Sequence, residues 1–153
     1  MIQFLLVLAA FVAMEAVAWL SHKYIMHGIL WSLHRDHHQK NPEHALEKND
    51  SFFILFAIPG IILILAGTMA GWQAPYLWLG LGITLYGIAY FFVHDVFIHQ
   101  RVKIFRNANN IYLKAIRRAH KMHHKHLNRF DGECFGMLWV PMKYFREARK
   151  SES

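Results

Sequence analysis

The chain has 153 residues, of which 55% are hydrophobic and 18% charged, with a formal net charge of +7. That length is room for one domain. The lone Cys134 excludes an intramolecular disulfide framework and any Cys/His finger, and the basic excess flanks apolar runs without a nucleic-acid motif, which argues against nucleic-acid binding.

The first twenty residues, MIQFLLVLAAFVAMEAVAWL, read as an apolar helix interrupted by Glu15. The start carries no basic residue, and Trp19, Leu20 and Ser21 offer no small-residue cleavage site, so an uncleaved span over about 3–21 is expected. A carboxyl in lipid is costly, so Glu15 is expected to face the bundle interior or a polar partner. A polar segment, 22–51, follows; Asn41-Pro42 is a turn signal, His44 falls in a polar turn, and Asn49, Asp50 and Ser51 are candidate helix caps.

Residues 52–70, FFILFAIPGIILILAGTMA, and 74–93 contain no Asp, Glu, Lys, Arg or His. At a rise of about 1.5 Å per residue each covers about 28 to 30 Å, the thickness of the hydrocarbon core. Only Gly71, Trp72 and Gln73 separate them, so an antiparallel hairpin is expected. The aromatic set Trp72, Tyr76, Trp78, Tyr86, Tyr90, Phe91 and Phe92 either faces lipid and its interface or lines a groove for an apolar ligand. Beyond it, the basic stretch 101–118 is expected to run along the membrane surface into a helix. The stretch CFGMLWVPMKYF (134–145), short and broken by Pro141, is expected to lie in the interface.

All 17 Lys and Arg residues fall in two segments, Lys23 to Lys48 and Arg101 to Lys150. By the positive-inside rule both are cytoplasmic, with the N-terminus and the 71–73 turn outside. Two spans separate the segments and return the chain to the same side, so their histidines can meet. The fold class expected is an all-α integral membrane protein, one domain over 1–153, with three to four transmembrane helices and a cytoplasmic histidine-rich cap.

Ten of the 12 histidines form one pattern written twice, HxxxxH then HxxHH: His22, His27, His34, His37 and His38, and again His94, His99, His120, His123 and His124. Imidazole is the commonest metal ligand, so the repeat points to a metal site for two ions. On a helix, i, i+3 and i+4 share a face, and each HxxHH is expected to act as a claw converging on one point. The i, i+5 pairs diverge by roughly 140° on a straight α-helix. His22 and His27 therefore either serve two metals or are separated by a helix break near Gly28; the same alternatives hold for His94 and His99. His126 points away from the claw and is left out of the site with His44. Asp36 and Asp95 stand beside candidate ligands and either orient an imidazole through its other ring nitrogen or are ordinary surface charges.

A transporter would place its polar ligands near the middle of its spans, whereas these lie at the ends. A b-type haem uses two axial ligands and leaves eight histidines unexplained, and the HExxH of a hydrolytic zincin is absent. Redox-active iron suits imidazole ligation, and two irons together activate O₂ towards a C–H bond. No GxGxxG is present, which favours a separate electron donor. A histidine-rich membrane protein that binds metal without turnover is the competing class.

The boxes also carry a resemblance. The chain resembles the integral membrane fatty-acid hydroxylase and sterol desaturase superfamily. The strings HKYIMHG (22–28), HRDHH (34–38), VHDVFIHQR (93–101), YLKAIRRAHKMHH (112–124) and ECFGMLW (133–139) look like its carotenoid branch, the bacterial β-carotene 3-hydroxylases. The resemblance covers nearly the whole chain. It implies a non-haem di-iron centre held by the ten histidines, with hydroxylation at C3 of β-ionone rings. β-Carotene would pass through β-cryptoxanthin to zeaxanthin, with canthaxanthin to astaxanthin as a further conversion. It also implies O₂ as oxidant, electrons from ferredoxin through an NADPH-dependent reductase, and a multi-pass position in the bacterial plasma membrane. A desaturase or ketolase would use the same ligands. Larger superfamily members have four spans where three are legible here, so either 134–145 enters the bilayer or a partner, such as a second copy, completes the enzyme.

Overall fold

A computed structural model describes residues 1–39, 46–104 and 110–150; His44 and the Asn41-Pro42 turn lie outside them. The described residues form helices and no strands. In chain order they are α1 (Ile2–Leu20), a π-helical segment π1 (Ser21–Ile29) and α2 (Trp31–His38), then α3 (Asp50–Ala70), α4 (Pro75–Phe91) and a second π-helical segment π2 (Phe92–Ile98). Helices α5 (Ile111–Lys125) and α6 (Met142–Lys150) complete the chain. Three continuous helical stretches, Ile2–Ile29, Asp50–Ala70 and Pro75–Ile98, are long and apolar enough to cross a membrane. The apolar runs read from the sequence coincide with these helices, the first and third being prolonged by π segments.

The chain divides into two compact units, Met1–Val17 with Ser32–Ala89, and Ala18–Trp31 with Tyr90–Ser153. In the first, glycines bring helices together. A Cβ on Gly67 would stand 2.5 Å from Leu77 Cβ, one on Gly80 would stand 2.9 Å from the Gly60 carbonyl, and one on Gly82 would stand 2.5 Å from the Val7 carbonyl. Small residues at these crossings let backbones touch, the usual way apolar helices pack where burial from water supplies no drive between them. The α3–α4 hairpin turns at Gly71, whose φ of 94° favours glycine. Its outward apolar side chains stay uncovered, from Phe53 and Ile54 to Met69 at 89% exposure, as expected of surface that meets hydrocarbon.

Contacts of Gly82 with Val7 and Ala10, and of Tyr86 with Phe11 and Glu15, run in step along α1 and α4, so these helices are parallel. Tyr86, 2% exposed, donates its hydroxyl to Glu15 Oε2 at 2.7 Å. The polar partner expected for Glu15 is therefore a tyrosine of another span.

The second unit has its core where α5 meets α6 and π2: Phe97, Ala115, Ile116, Ala119, Val140, Tyr144 and Ala148. Asn110 caps α5, its side chain accepting the Leu113 N–H at 2.9 Å. The apolar face of α5 is buried, and Arg118, Lys121 and Lys125 are exposed. The segment 134–145 packs into this core. Phe135, Met137, Val140 and Tyr144 are buried in this unit, and only Trp139 and Met142 among its large apolar residues are open. An aromatic run suits an interface and a core equally; the basic amphipathic α5 supplied a face to bury it.

Two glycines of the first unit should respond oppositely to alanine. Gly67→Ala places its Cβ within 2.6 Å of Leu77 Cα and is expected to cost about 1–3 kcal/mol through overpacking. Nothing lies within 4 Å of a Cβ on Gly87, so Gly87→Ala is expected to gain about 0.5–1 kcal/mol from helix propensity. Thermal unfolding in detergent, compared with the parent, reads both signs.

Candidate metal centre

The π winding changes what the HxxxxH spacing means. In a π-helix the backbone bond runs from i+5 to i, which stacks those two residues on one face. The bonds are present: the His99 N–H donates to the His94 carbonyl at 2.9 Å, and the Leu30 N–H to the Ile25 carbonyl at 2.8 Å. Accordingly the His22 and His27 rings lie 5.1 Å apart, and the His94 and His99 rings 4.5 Å apart. The divergence expected of a straight α-helix does not occur. The backbone does break from helical geometry at Gly28, past His27.

The second HxxHH block, on α5, does not close on one point. His123 joins His22 and His27, its ring 4.4 Å from the former and 4.8 Å from the latter. His120 instead meets His94 and His99, with ring centroids 5.0 and 4.8 Å away, and His124 packs beside it at 4.6 Å. Adjacent helical residues diverge by about 100°, so His123 and His124 cannot face one target; the block straddles two. In the first unit, α2 likewise sets His34 and His38 together, Nε2 to Nε2 at 3.1 Å, and turns His37 to Glu47. The claw expected of each block is thus a fork.

In the second unit, the ligand-capable nitrogens of His22, His27 and His123 lie within 4.8 Å of one another, and so do those of His94, His99 and His120. These clusters are compatible with metal binding, and a test of fit comes from the opposite side of each ring. The Nδ1–H of His22 donates to the Phe135 carbonyl at 2.9 Å, that of His27 to the Leu127 carbonyl at 3.0 Å, and that of His123 to the Glu133 carbonyl at 3.0 Å. A carbonyl only accepts, so the proton sits on Nδ1 and Nε2 presents its lone pair. Yet His27 Nε2 and His123 Nε2 are 3.1 Å apart. Two bare lone pairs at that distance need either an extra proton or a shared cation. His123 has no exposed surface, and burial disfavours an imidazolium. Metal–imidazole bonds of about 2.0–2.1 Å put neighbouring ligand nitrogens about 2.8–3.4 Å apart, which matches.

The same signature recurs elsewhere. His34 Nδ1 bonds Asn49 Oδ1 at 2.6 Å, His37 Nδ1 bonds Glu47 Oε2 at 2.8 Å, and His94 Nδ1 bonds Asp95 Oδ2 at 3.1 Å. In the other cluster His120 Nε2 lies 2.8 Å from both His99 Nε2 and His124 Nε2. Burial, and then the surrounding imidazoles, push the His120 pKa well below its usual range. His120 is therefore neutral, the form that binds metal. Cys134 contributes no thiolate, because burial raises its pKa to about 11.

Of the two alternatives for Asp95, the contact with an imidazole is the one present: its Oδ2 lies 3.1 Å from His94 Nδ1, and its Oδ1 pairs with Arg101 at 3.3 Å. Asp36 does not sit on an imidazole in the same way: it accepts the Lys48 N–H at 2.5 Å, bracing the turn that carries Glu47 and Asn49. Those two residues were missed as orienting groups. Asn49 reads as a cap, but it makes no cap bond to α3 and instead holds His34. The signal for Glu47 is weak, an acid between a histidine box and an apolar span. The three carbonyls of 127–135 carry no side-chain signal at all. His126 lies just past the end of α5.

The fatty acid hydroxylase family matches residues 7–144. A β-carotene hydroxylase of Paracoccus sp. (strain PC1) is 39% identical over 92% of this chain and 86% of its own length. One of Pantoea ananas is 40% identical over 90% of this chain and 77% of its own. The chloroplastic β-carotene 3-hydroxylase 2 of Arabidopsis thaliana is 38% identical over 97% of this chain and 49% of its own. No solved structure matches. With the family spanning both histidine-bearing ends and the helices between them, this chain belongs to the fatty acid hydroxylase family.

Proposed function

We propose that this chain is an O₂-dependent, non-haem di-iron monooxygenase that hydroxylates carotenoids at C3 of the β-ionone ring, taking β-carotene through β-cryptoxanthin to zeaxanthin. Canthaxanthin, which has the same ring carbon free, is a further substrate on the way to astaxanthin. The observation that carries the metal part is the His27–His123 contact, two Nε2 atoms 3.1 Å apart in a buried site, each on a ring whose Nδ1 is bonded to a backbone carbonyl. The carotenoid part rests on relatives near 40% identity that bear that activity in their names.

The proposed ligands are His22, His27, His34, His37, His38, His94, His99, His120, His123 and His124. When bound, two irons supply the reduction of O₂ and the attack on the ring C–H bond. One oxygen atom enters the C–H bond as hydroxyl and the other leaves as water, consuming two electrons and two protons from outside the chain. A ferredoxin reduced through an NADPH-dependent reductase supplies the electrons. The chain's own task is to fix its imidazoles. The carbonyls of Leu127, Glu133 and Phe135, with Asn49, Glu47 and Asp95, hold Nδ1–H and leave Nε2 to the metal. Phe135 packs its ring edge-on against His22, His27 and His123, at 5.7, 5.2 and 5.2 Å, and keeps water from that face.

The substrate is a polyene dissolved in lipid, reached laterally between spans, and the whole chain works as one domain in the bacterial plasma membrane. The basic flanks support a cytoplasmic side for the histidines, with the N-terminus outside.

In a bacterial host accumulating β-carotene, with verified membrane expression and an electron donor, this chain should yield zeaxanthin by chromatography and mass spectrometry, and His123→Ala none. Unchanged β-carotene from the parent sinks the carotenoid assignment. Chelator-stripped membranes should lose turnover and regain it with Fe(II) but not Zn(II); recovery with zinc would overturn the redox assignment. Asp95→Ala should lower iron affinity roughly 10–100-fold, measured by equilibrium metal titration.

A further inference from the structure

The loop 127–135 gives its backbone carbonyls to three histidines from two different elements, His22 and His27 of π1 and His123 of α5. A loop with that duty has to be held. Asn128 Oδ1 accepts the N–H groups of Phe130 and Asp131, each at 2.8 Å, and closes the loop's first turn. At its other end Cys134 adopts a φ of 59°, a left-handed conformation uncommon outside glycine. Between the carbonyls of Glu133 and Phe135, that residue aims the chain at two imidazoles at once.

The side chain of Glu133 points the other way. Its Oε1 accepts the Tyr144 hydroxyl at 2.6 Å, and its Oε2 pairs with the Lys143 ammonium. Both partners belong to α6, and Tyr144 is the most buried aromatic of this unit's core at 1% exposure. Glu133 is thus fixed at both of its ends, by its carbonyl to His123 and by its carboxylate to α6.

Resting on the di-iron reading above, we propose that Glu133 and Tyr144 are positioning residues of the metal centre: α6 clamps the Glu133 carboxylate, and through it holds the carbonyl loop that orients His22, His27 and His123. Helix α6 carries no histidine, so nothing in its own chemistry announces this role. The packing supports it, because α6 is seated on the same α5 that carries His120, His123 and His124. The loop between them cannot shift without moving either a core tyrosine or an imidazole.

The test is an equilibrium titration of the metal-free, detergent-solubilised full chain with Co(II), whose ligand-field absorption reports both affinity and coordination. Tyr144→Phe and Glu133→Ala are expected to weaken Co(II) binding roughly 10–100-fold, as loss of orienting groups does at other metal sites, and to change the absorption envelope. Glu133→Gln, which keeps an acceptor for the Tyr144 hydroxyl, should recover most of the affinity lost in Glu133→Ala. Glu147→Gln breaks the exposed Arg118–Glu147 pair at 2.9 Å between the same two helices without touching the loop, and should bind as the parent does. Parental affinity and spectrum in Tyr144→Phe and Glu133→Ala overturn the proposal. So does an equal loss in Glu147→Gln, which would assign the effect to helix packing at large. A parent that binds no Co(II) instead overturns the metal reading itself.

Discussion

Two imidazole nitrogens, each stripped of its proton by a bond on the far side of its ring, face each other across 3.1 Å in the heart of the second unit. The arrangement is unfavourable by itself. Lone pairs repel at that distance, and relief by protonation would bury a charge beneath Phe135, where desolvation opposes it. A proton or a cation shared between the rings turns the contact into an attraction, and the surrounding fold supplies the stability that holds the rings together. It does so with backbone. Leu127, Glu133 and Phe135 are drawn on for their carbonyls, groups that a side-chain substitution cannot delete.

The helix ends solve a geometric problem that α-helix alone cannot. Ligands five residues apart fall on opposite flanks of an α-helix, but one above the other where the backbone bonds from i+5 to i. Helices α1 and α4 both run on into such segments, and both carry HxxxxH there. The HxxHH block has the complementary property. On a true α-helix its adjacent histidines diverge, so α5 gives His123 to the group containing His22 and His27, and His120 and His124 to that containing His94 and His99. The two spacings are matched to two helix types.

Much of this was legible in the sequence because it rests on properties that neighbouring residues share. Long uncharged runs fix the spans and the Gly71 turn, and a lone acid among them, Glu15, requires a polar partner. The ten histidines point to metal chemistry through their repetition, and the clusters they form are compatible with it. What stayed hidden depends on the backbone or on distant parts of the chain. Nothing in HKYIMHG announces a π winding, because the local preference for α is overcome by the tertiary contacts that draw His22, His27 and His123 together. Asn49 has the chemistry of a cap, and only the approach of His34 reveals its other use. Phe135 and Tyr144 are as apt for a membrane interface as for a core, and the choice was made by α5.

The first unit is braced by the parallel run of α1 and α4. Glycine crossings at Gly82 and Gly67 fix the helices of the first unit to within a methyl group, and the Tyr86–Glu15 bond fixes the register of α1 on α4 in a medium where a slipped carboxyl would find no water. His22 and His27 follow α1, and His94 and His99 follow α4, without an intervening loop. Within the second unit, bonds from Nδ1–H to backbone carbonyls then hold the His22, His27 and His123 rings in orientation.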